Sequence, residues 1–174
     1  MDIGAELRRR FAQVRLLSLD LDGVMTDGGV YYAETGEELR RYDIKDGTGI
    51  VRLREAGFHL AVITNSRGVA IERRMQRLGI QHFHMGIADK LPVLRSVAES
   101  LGFGLDAVAH IADDVNDLTA LRAVGLALAP ADAVPEVLAV AHYITKKNGG
   151  RGAVREVCEM LLEIQKSRQG SVQQ

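Results

Sequence analysis

Runs of consecutive apolar residues alternate along the chain with stretches in which apolar residues recur every three or four positions. The first pattern is typical of strands buried on both faces, and the second of amphipathic helices. Strands are predicted at residues 14–19, 60–63, 108–111 and 126–128. Helices are predicted at residues 49–55, 68–78, 91–101, 117–124 and 154–165, with a short one at residues 134–140. This order predicts an α/β fold, in which a Rossmann-like, mainly parallel sheet carries helices on both faces.

One segment departs from this alternation. Residues 28–42 contain two short strands, at 30–32 and 38–42, on either side of a turn at 34–36. A protruding β-hairpin is the natural prediction for such a segment. No linker or internal repeat divides the chain, so residues 1–174 are expected to form a single domain. The loops after the first two sheet strands are too short to hold a separate cap domain.

Composition narrows the function classes without naming one. Hydrophobic residues make up 47% of the chain, enough for one substantial core, and a net charge of −1 without a sustained basic run argues against nucleic acid or an anionic membrane as a partner. The one cysteine, Cys158, excludes an intrachain disulfide and is expected to fill the core. Residues 168–174 resemble a polar tail. The chain lacks a run of about 20 apolar residues that could span a bilayer, and it lacks a signal-peptide pattern. We therefore expect a cytoplasmic protein.

Polar residues gather where the predicted strands end. Asp20 and Asp22 follow the first strand, Thr64 follows the second, and Asp113 and Asp114 follow the third. Ligands of open α/β sheets bind outside the carboxyl ends of the strands. These side chains are therefore expected to share one site.

Two carboxylates separated by one residue can both reach one pocket if the chain turns there, and Gly23 favours such a turn. Asp20 can attack phosphorus and form an aspartyl-phosphate. Asp22 can protonate the leaving oxygen and later deprotonate water. The alternative is an acidic strand end that only binds water.

The other polar residues also have two interpretations each. Thr64 can donate to a phosphoryl oxygen or cap a helix, and Lys90 can neutralise a phosphate or lie in solvent. Asp113, Asp114 and Asp117 can help to bind Mg²⁺, which prefers oxygen ligands, or can mark the start of a helix. Because all these residues occur together, each near the end of a strand, the pattern favours a shared phosphate and metal site.

These motifs resemble those of the haloacid dehalogenase superfamily of phosphatases. In this chain the motifs are Asp20-x-Asp22-Gly-Val-x-Thr26, Thr64, Lys90 and Asp113-Asp114-x-x-Asp117. The resemblance implies that Asp20 is the nucleophile and Asp22 the acid/base. It implies that Mg²⁺ is held by Asp20, by the backbone carbonyl of Asp22 and by Asp113. Asp114 and Asp117 are then expected to lie next to these ligands without binding the ion themselves. It assigns Thr64 and Lys90 to the phosphoryl group.

A narrower resemblance is to the 3-deoxy-D-manno-octulosonate 8-phosphate phosphatase family. It is carried by residues 20–28 and 149–158, by Asp46-Gly47 and by Arg74-x-x-x-Leu78-Gly79-Ile80. The resemblance implies a capless homotetramer whose hairpin covers a neighbouring active site. It also implies hydrolysis of 3-deoxy-D-manno-octulosonate 8-phosphate to the free sugar acid and phosphate, a step in lipopolysaccharide precursor synthesis.

The substrate-binding residues predicted on this basis are Asn65, Arg67, Asp46 and Arg155, with the arginines suited to a carboxylate. Two departures from the family pattern stand out. Thr64-Asn65-Ser66 replaces the usual Thr-Gly-Arg, with Arg67 one place later, and Ala112 replaces the usual glycine before the two aspartates. The first departure lies in the loop expected to meet the sugar acid.

Two alternatives stay open at this point. One is a related capless phosphatase that acts on a nonulosonate 9-phosphate. The other is a non-catalytic oligomerisation module of sugar-nucleotide synthesis, although such a module has no need for the full set of charged motif residues. Among the histidines, His82 and His84 are predicted to be partly exposed on a strand, and His110 to lie in the core or at an interface.

Overall fold

The computed structural model describes residues 3–172, with side chains described up to residue 168. The strands are β1 (Leu16–Leu19), β2 (Thr26–Tyr32), β3 (Glu38–Tyr42), β4 (His59–Thr64), β5 (His82–Met85), β6 (Val108–Ile111), β7 (Leu126–Ala129) and β8 (Tyr143–Ile144). The helices are α1 (Ala5–Gln13), α2 (Ile44–Glu55), α3 (Val69–Leu78), α4 (Lys90–Ser100), α5 (Leu118–Ala123), α6 (Pro135–Leu138) and α7 (Ala153–Val172). None of these helices combines the length and the apolar character needed to cross a bilayer.

Six strands form one sheet in the order β5-β4-β1-β6-β7-β8, and every neighbouring pair is parallel. All residues of β1, β6 and β7 are buried, which explains why these strands are apolar except for Ser18 and His110. One face of the sheet packs against α1, α2, α3 and α7, and the other against α4, α5 and α6. The predicted Rossmann-like fold, with helices on both faces, is confirmed.

The remaining strands, β2 and β3, pair antiparallel as a separate hairpin, as predicted. Alternate residues of β3 point in opposite directions, so that Glu38, Arg40 and Tyr42 are less exposed than Leu39 and Arg41. The residues that separate β1 from β2, and those that separate β4 from α3, form short connections. Neither connection contains a cap domain, which agrees with the predicted capless architecture.

Several boundaries differ from the prediction. Helix α2 begins at Ile44 instead of residue 49, because Asp43 accepts a hydrogen bond from the Lys45 backbone N–H and starts the helix earlier. Helix α7 continues to Val172, through most of the predicted polar tail, and residues 173–174 lie outside the described part. Helix α1 and strand β8 were not predicted as elements, because α1 is strongly charged and β8 is only two residues long.

Two glycines join the start of α7 to the loop after β1. The backbone N–H of Gly150 donates to the Val24 carbonyl at 2.9 Å. A Cβ atom on Gly149 would lie 1.7 Å from the Gly23 carbonyl oxygen, so only glycine fits this contact without a backbone shift. The segment that leads into α7 therefore also supports the loop that carries Asp20 and Asp22.

Candidate active site

Asp20 lies directly after β1, at the carboxyl edge of the sheet, and is only 8% exposed. Its Oδ1 atom accepts one hydrogen bond from Lys90 Nζ and another from the Leu21 backbone N–H, both at 2.7 Å. Neither contact involves Oδ2, so this oxygen is available for chemistry. Burial and the neighbouring Asp117 carboxylate raise the pKa of Asp20, and Lys90 opposes that rise.

Lys90 is the first residue of α4 and is almost completely buried. Besides Asp20, its ammonium group contacts Asp117 Oδ2 at 2.7 Å. Asp117 Oδ1 accepts from His110 Nε2 at 2.9 Å, and His110 Nδ1 lies 3.1 Å from Ser18 Oγ. A chain of buried polar contacts thus runs from the Asp20 carboxylate to the middle of β1 and β6.

This chain of contacts keeps Asp117 ionised. Burial alone would raise the pKa of Asp117, but the hydrogen bond from His110 and the charge of Lys90 hold it below the ordinary aspartate value. The prediction of His110 as a satisfied core histidine agrees with its complete burial and its two partners. Its connection to the site through Asp117 was not predicted.

Asp113 follows β6 and lies against the loop after β1. A Cβ atom on Gly23 would come within 1.9 Å of Asp113 Oδ2, so the glycine makes room for this carboxylate beside the Asp22–Gly23 peptide. Burial, and then the charge of Asp20, raise the pKa of Asp113 to about 7. Two carboxylates that oppose each other's ionisation in this way favour a bound cation.

Asp20, Asp113 and the carbonyl group of Asp22 would supply the hard oxygen ligands that Mg²⁺ prefers. Burial, together with neighbouring carboxylates, raises the pKa of both aspartates. These residues therefore fit the ion. No cluster of three or more histidine, cysteine, aspartate or glutamate side chains suited to a metal occurs in the described part of the chain. The backbone carbonyl of Asp22 would complete the ligand set.

The two other aspartates of this motif have different contacts. Asp114 is exposed and accepts a hydrogen bond from the Val115 backbone N–H, so it caps the short 3-10 helix Val115–Asp117. Asp117 contacts Lys90 and His110. The contact of Asp114 therefore agrees with the alternative interpretation, in which the aspartate marks the start of a helix. The contacts of Asp117 instead stabilise the buried lysine.

Asp22 lies in the turn after β1, and 34% of its side chain is exposed. Its Oδ1 accepts from Arg40 Nε at 2.6 Å, and its Oδ2 accepts from Ser66 Oγ at 2.5 Å. Neither Arg40 nor Ser66 was predicted as a site residue. The alternation along β3 could have suggested Arg40, but nothing local shows how far the hairpin folds back over the sheet.

Thr64 ends β4 and is 2% exposed. Helix α3 begins only at Val69, so Thr64 is not its N-cap. Its Oγ1 accepts from the Ser66 backbone N–H at 3.0 Å, which leaves the hydroxyl hydrogen free to donate. Because Ser66 also contacts Asp22, the loop after β4 lies beside the loop after β1.

Asn65 and Arg67 are exposed in that same loop. The guanidinium group of Arg67 lies over Gly86, where a Cβ atom would come within 2.1 Å of it. Arg155 contacts Glu159 at 2.7 Å and the Lys45 carbonyl at 3.5 Å, on the surface between α2 and α7. Arg67 is thus adjacent to the candidate site, whereas the described contacts of Arg155 involve none of its residues.

The structure gives Asp46 a different function from the predicted substrate contact. Its side chain is buried, with Oδ1 accepting from the Arg155 backbone N–H at 2.7 Å and Oδ2 from the Gly152 N–H at 3.2 Å. Both oxygens therefore cap the start of α7. The prediction of Asp46 as a substrate-binding residue is not supported by this geometry.

Comparison with known proteins identifies the family. The profile of the haloacid dehalogenase-like hydrolases matches residues 84–157. The 3-deoxy-D-manno-octulosonate 8-phosphate phosphatase of Yersinia pestis is 41% identical over 97% of this chain and 90% of its own length. The Escherichia coli K12 enzyme of the same name is 39% identical over 94% of this chain and 87% of its own length. The chain belongs to this phosphatase family.

Solved structures agree with this family assignment. The Yersinia pestis phosphatase superposes with a TM-score of 0.92, and the superposition covers 97% of this chain and 91% of the Yersinia pestis chain. The Moraxella catarrhalis phosphatase, 36% identical, superposes with a TM-score of 0.91 over 96% of each chain, and it was solved with magnesium, phosphate and the sugar acid KDO. A cobalt-bound Haemophilus influenzae member is 32% identical, with a TM-score of 0.87, over 90% of this chain and 92% of its own.

The contacts of Asp46 lead to a first prediction. Asp46→Ala leaves two backbone N–H groups at the start of α7 without their acceptor, which should lower the free energy of unfolding by about 1–3 kcal/mol. KM for a phosphate substrate should stay within about twofold of its original value, since the carboxylate meets protein alone. Urea unfolding and steady-state kinetics measure the two quantities.

Asp43→Ala is the matched control, because Asp43 caps α2 from a less buried position and should cost only about 1 kcal/mol. A large rise in KM for Asp46→Ala without any loss of stability would instead support a substrate contact.

The raised pKa of Asp113 leads to a second prediction. Between the ordinary aspartate pKa and about 7, folded Asp113 holds a proton that the unfolded chain has released. Raising the pH through this window therefore lowers the stability of the metal-free protein. Mg²⁺ competes with that proton. If its affinity rises about tenfold between about pH 6 and about pH 8, the increase in Tm that saturating Mg²⁺ produces should be larger at the higher pH by about 3–6 °C.

Thermal unfolding with and without Mg²⁺ at the two pH values measures this difference. Asp113→Asn, which cannot ionise, should remove most of the Mg²⁺ effect at both. An equal Mg²⁺ effect at the two pH values in the unsubstituted protein would contradict the assignment of the proton to the metal site.

Proposed function

We propose that this protein hydrolyses the phosphate monoester of a sugar acid with Mg²⁺, and that the substrate is 3-deoxy-D-manno-octulosonate 8-phosphate. The observation that carries the proposal is the Asp20 carboxylate, which is buried and bonded to Lys90 through Oδ1, while Oδ2 makes no hydrogen bond or ion pair within the described part of the chain. The family membership and the named relatives support the substrate.

In the first chemical step, Asp20 Oδ2 attacks phosphorus. A bond forms between this oxygen and phosphorus while the bond from phosphorus to the sugar oxygen breaks. Asp22, in its protonated form, gives its proton to the departing sugar oxygen. The products of this step are the free sugar acid and a phosphorylated Asp20.

In the second step, the ionised Asp22 takes a proton from water while the water oxygen bonds to phosphorus. The bond between phosphorus and Asp20 breaks, which regenerates the Asp20 carboxylate and releases inorganic phosphate. Asp22 ends the cycle protonated, as it began.

Lys90 and Thr64 complete the phosphoryl site. Lys90 holds Asp20 in place and adds a positive charge at the nucleophile, and the free hydroxyl hydrogen of Thr64 is suited to a phosphoryl oxygen. When bound at Asp20, Asp113 and the Asp22 carbonyl, Mg²⁺ would neutralise charge as the phosphate dianion approaches a carboxylate. A purely structural module has no need for an almost fully buried lysine between two carboxylates.

At the far end of the substrate, we assign Arg67 to the carboxylate. It is exposed next to the Thr64 loop and makes no ion pair with any residue in the described part of the chain. A guanidinium group can bind a carboxylate through two parallel hydrogen bonds. Asn65, in the same loop, is suited to a sugar hydroxyl.

The proposal is tested by a phosphate-release screen with Mg²⁺ over 3-deoxy-D-manno-octulosonate 8-phosphate, a nonulosonate 9-phosphate and a neutral sugar phosphate of similar length. We expect the first to have the highest kcat/KM. Asp20→Asn should lower turnover of every substrate by at least about 10³-fold. Asp22→Asn should lower kcat by about 10²–10⁴-fold while substrate binding remains.

Circular dichroism is the check that these variants still fold. Near-normal turnover by Asp20→Asn would rule out this residue as the nucleophile. A kcat/KM for the neutral sugar phosphate equal to that for the acid would leave the phosphatase chemistry intact but remove the sugar-acid assignment.

The cellular form of the protein is part of the same proposal. We assign residues 1–174 to a single phosphatase domain in the cytoplasm, assembled as a homotetramer. The support for assembly is the hairpin, which exposes 58% of Tyr31 and 71% of Tyr32 together with Val30 and Leu39. Tyr31 and its cross-strand partner Leu39 lie on one face of the hairpin, and Val30 and Tyr32 lie on the other. Exposed apolar side chains of this size are typical of a protein interface.

Replacing Tyr31 and Tyr32 by serine should therefore weaken the tetramer, which light scattering over a range of concentrations would detect. Ile144→Ser is the matched control, since Ile144 is exposed on β8, outside the hairpin. A monomer at all concentrations in the unsubstituted protein would contradict the tetramer.

A further inference from the structure

A guanidinium group from the hairpin reaches the carboxylate assigned to proton transfer. Arg40 pairs with Val30 in the hairpin, yet its side chain is only 10% exposed because it turns toward Asp22. Its Nε donates to Asp22 Oδ1 at 2.6 Å, and its Nη2 lies 3.5 Å from Oδ2. Glu38, two residues earlier on the same face of β3, forms an ion pair with Nη1.

A second donor reaches the same carboxylate from another element. Ser66, in the loop after β4, donates its hydroxyl to Asp22 Oδ2 at 2.5 Å and accepts from Arg40 Nη2 at 3.1 Å. Arg40, Ser66 and Asp22 thus form a closed triangle of hydrogen bonds. Because the donors come from two different elements and use both carboxylate oxygens, they fix the position of the carboxylate and the plane in which it lies.

This restraint matters because Asp22 is otherwise weakly held. It lies in a turn, about a third of its side chain is exposed, and a free aspartate in such a place samples several rotamers. A general acid must come within hydrogen-bond distance of the oxygen that it protonates. Fixing the rotamer in advance lowers the entropic part of the barrier.

We propose that Arg40, together with Ser66, is a positioning residue for proton transfer by Asp22, so that the seating of the hairpin controls the orientation of the acid/base. This inference rests on the proposed function, in which Asp22 protonates the sugar oxygen as its bond to phosphorus breaks. In this role Arg40 contacts neither the phosphate nor the sugar.

The dependence of the rate on the leaving group tests this role. The alkoxide of ribose 5-phosphate needs a proton as it leaves, whereas 4-nitrophenolate leaves without one. Neither compound carries a sugar carboxylate, and both present the same phosphate group. The value of kcat/KM covers events up to the first bond cleavage, so a misplaced acid should affect only the first substrate.

Arg40→Gln should lower kcat/KM for ribose 5-phosphate by about 10- to 100-fold, a part of the 10²–10⁴-fold that general acid catalysis contributes. For 4-nitrophenyl phosphate, the same variant should stay within about threefold of the unsubstituted protein. Arg40→Lys, which keeps one donor and the charge, should recover part of the lost rate. Ser66→Ala, which removes only a hydroxyl group, should shift the ratio of the two values in the same direction by a smaller factor.

Arg41→Gln is the matched control. It removes the same charge from the next position of β3, but Arg41 contacts Asp27 and the Gly150 carbonyl, on the other side of the strand. The ratio between the two substrates should not change in this variant, even if the absolute rates do.

Asp22→Asn is the reference, and it must itself slow ribose 5-phosphate more than 4-nitrophenyl phosphate. If it slows both equally, the proton-transfer part of the proposed function fails, and the inference about Arg40 fails with it. The other outcome is that Asp22→Asn slows ribose 5-phosphate more than 4-nitrophenyl phosphate, as the proposed function requires. If Arg40→Gln then slows both substrates equally, or accelerates the hydrolysis of ribose 5-phosphate, the proposed function stands and the positioning role is overturned.

Discussion

The buried ammonium group of Lys90 is the interaction on which the rest of the site depends. A lysine that is 2% exposed is unfavourable unless opposite charges accompany it, and here Asp20 and Asp117 each lie 2.7 Å away. Removing either carboxylate would leave a poorly compensated buried charge, which typically costs about 3–5 kcal/mol. The same lysine therefore links the fold of the protein to the charge and position of Asp20. Asp117 is itself buried, so its second carboxylate oxygen also requires a hydrogen-bond donor, and His110 is that donor.

The parallel sheet makes this arrangement possible. Ser18 and His110 occupy paired positions on the adjacent strands β1 and β6, so their contact is fixed by strand register. Asp20 lies two residues beyond Ser18 and Asp113 three beyond His110, and both carboxylates consequently emerge at the same edge of the sheet. Gly23 leaves room for Asp113. Mutual repulsion between these carboxylates follows directly from the strand order, and it makes the edge suitable for a cation.

The sequence predicted what depends on local pattern, and it failed where a contact joins distant segments. The strand at Val108–Ile111 and the polar residues after it could be predicted, because burial on both faces leaves a run that is apolar apart from His110. The cap that Asp46 provides for α7 could not, because residues 46 and 155 are far apart in sequence and a carboxylate near a glycine fits a binding site equally well. Arg40 was missed for a similar reason. The alternation of residues along a strand predicts which side chains share a face, but it does not predict which other element that face contacts.

In the mechanism that we propose, Asp20 and Asp22 perform different chemistry although they are identical side chains in one loop. The proposed nucleophile must be ionised and held in place. Burial raises the pKa of Asp20, but Lys90, which is itself fixed by the core, opposes that rise and holds the carboxylate. An acid/base must change its protonation state in each step and reach oxygens on the substrate, and Asp22 is partly exposed, with donors from a surface hairpin and a loop. Environments that differ in this way separate the roles of paired carboxylates. In this proposal the core holds the nucleophile, whereas the acid/base is held by the hairpin, the part of the surface that we expect to meet a neighbouring subunit. Assembly and proton transfer would then depend on the same segment, residues 26–42.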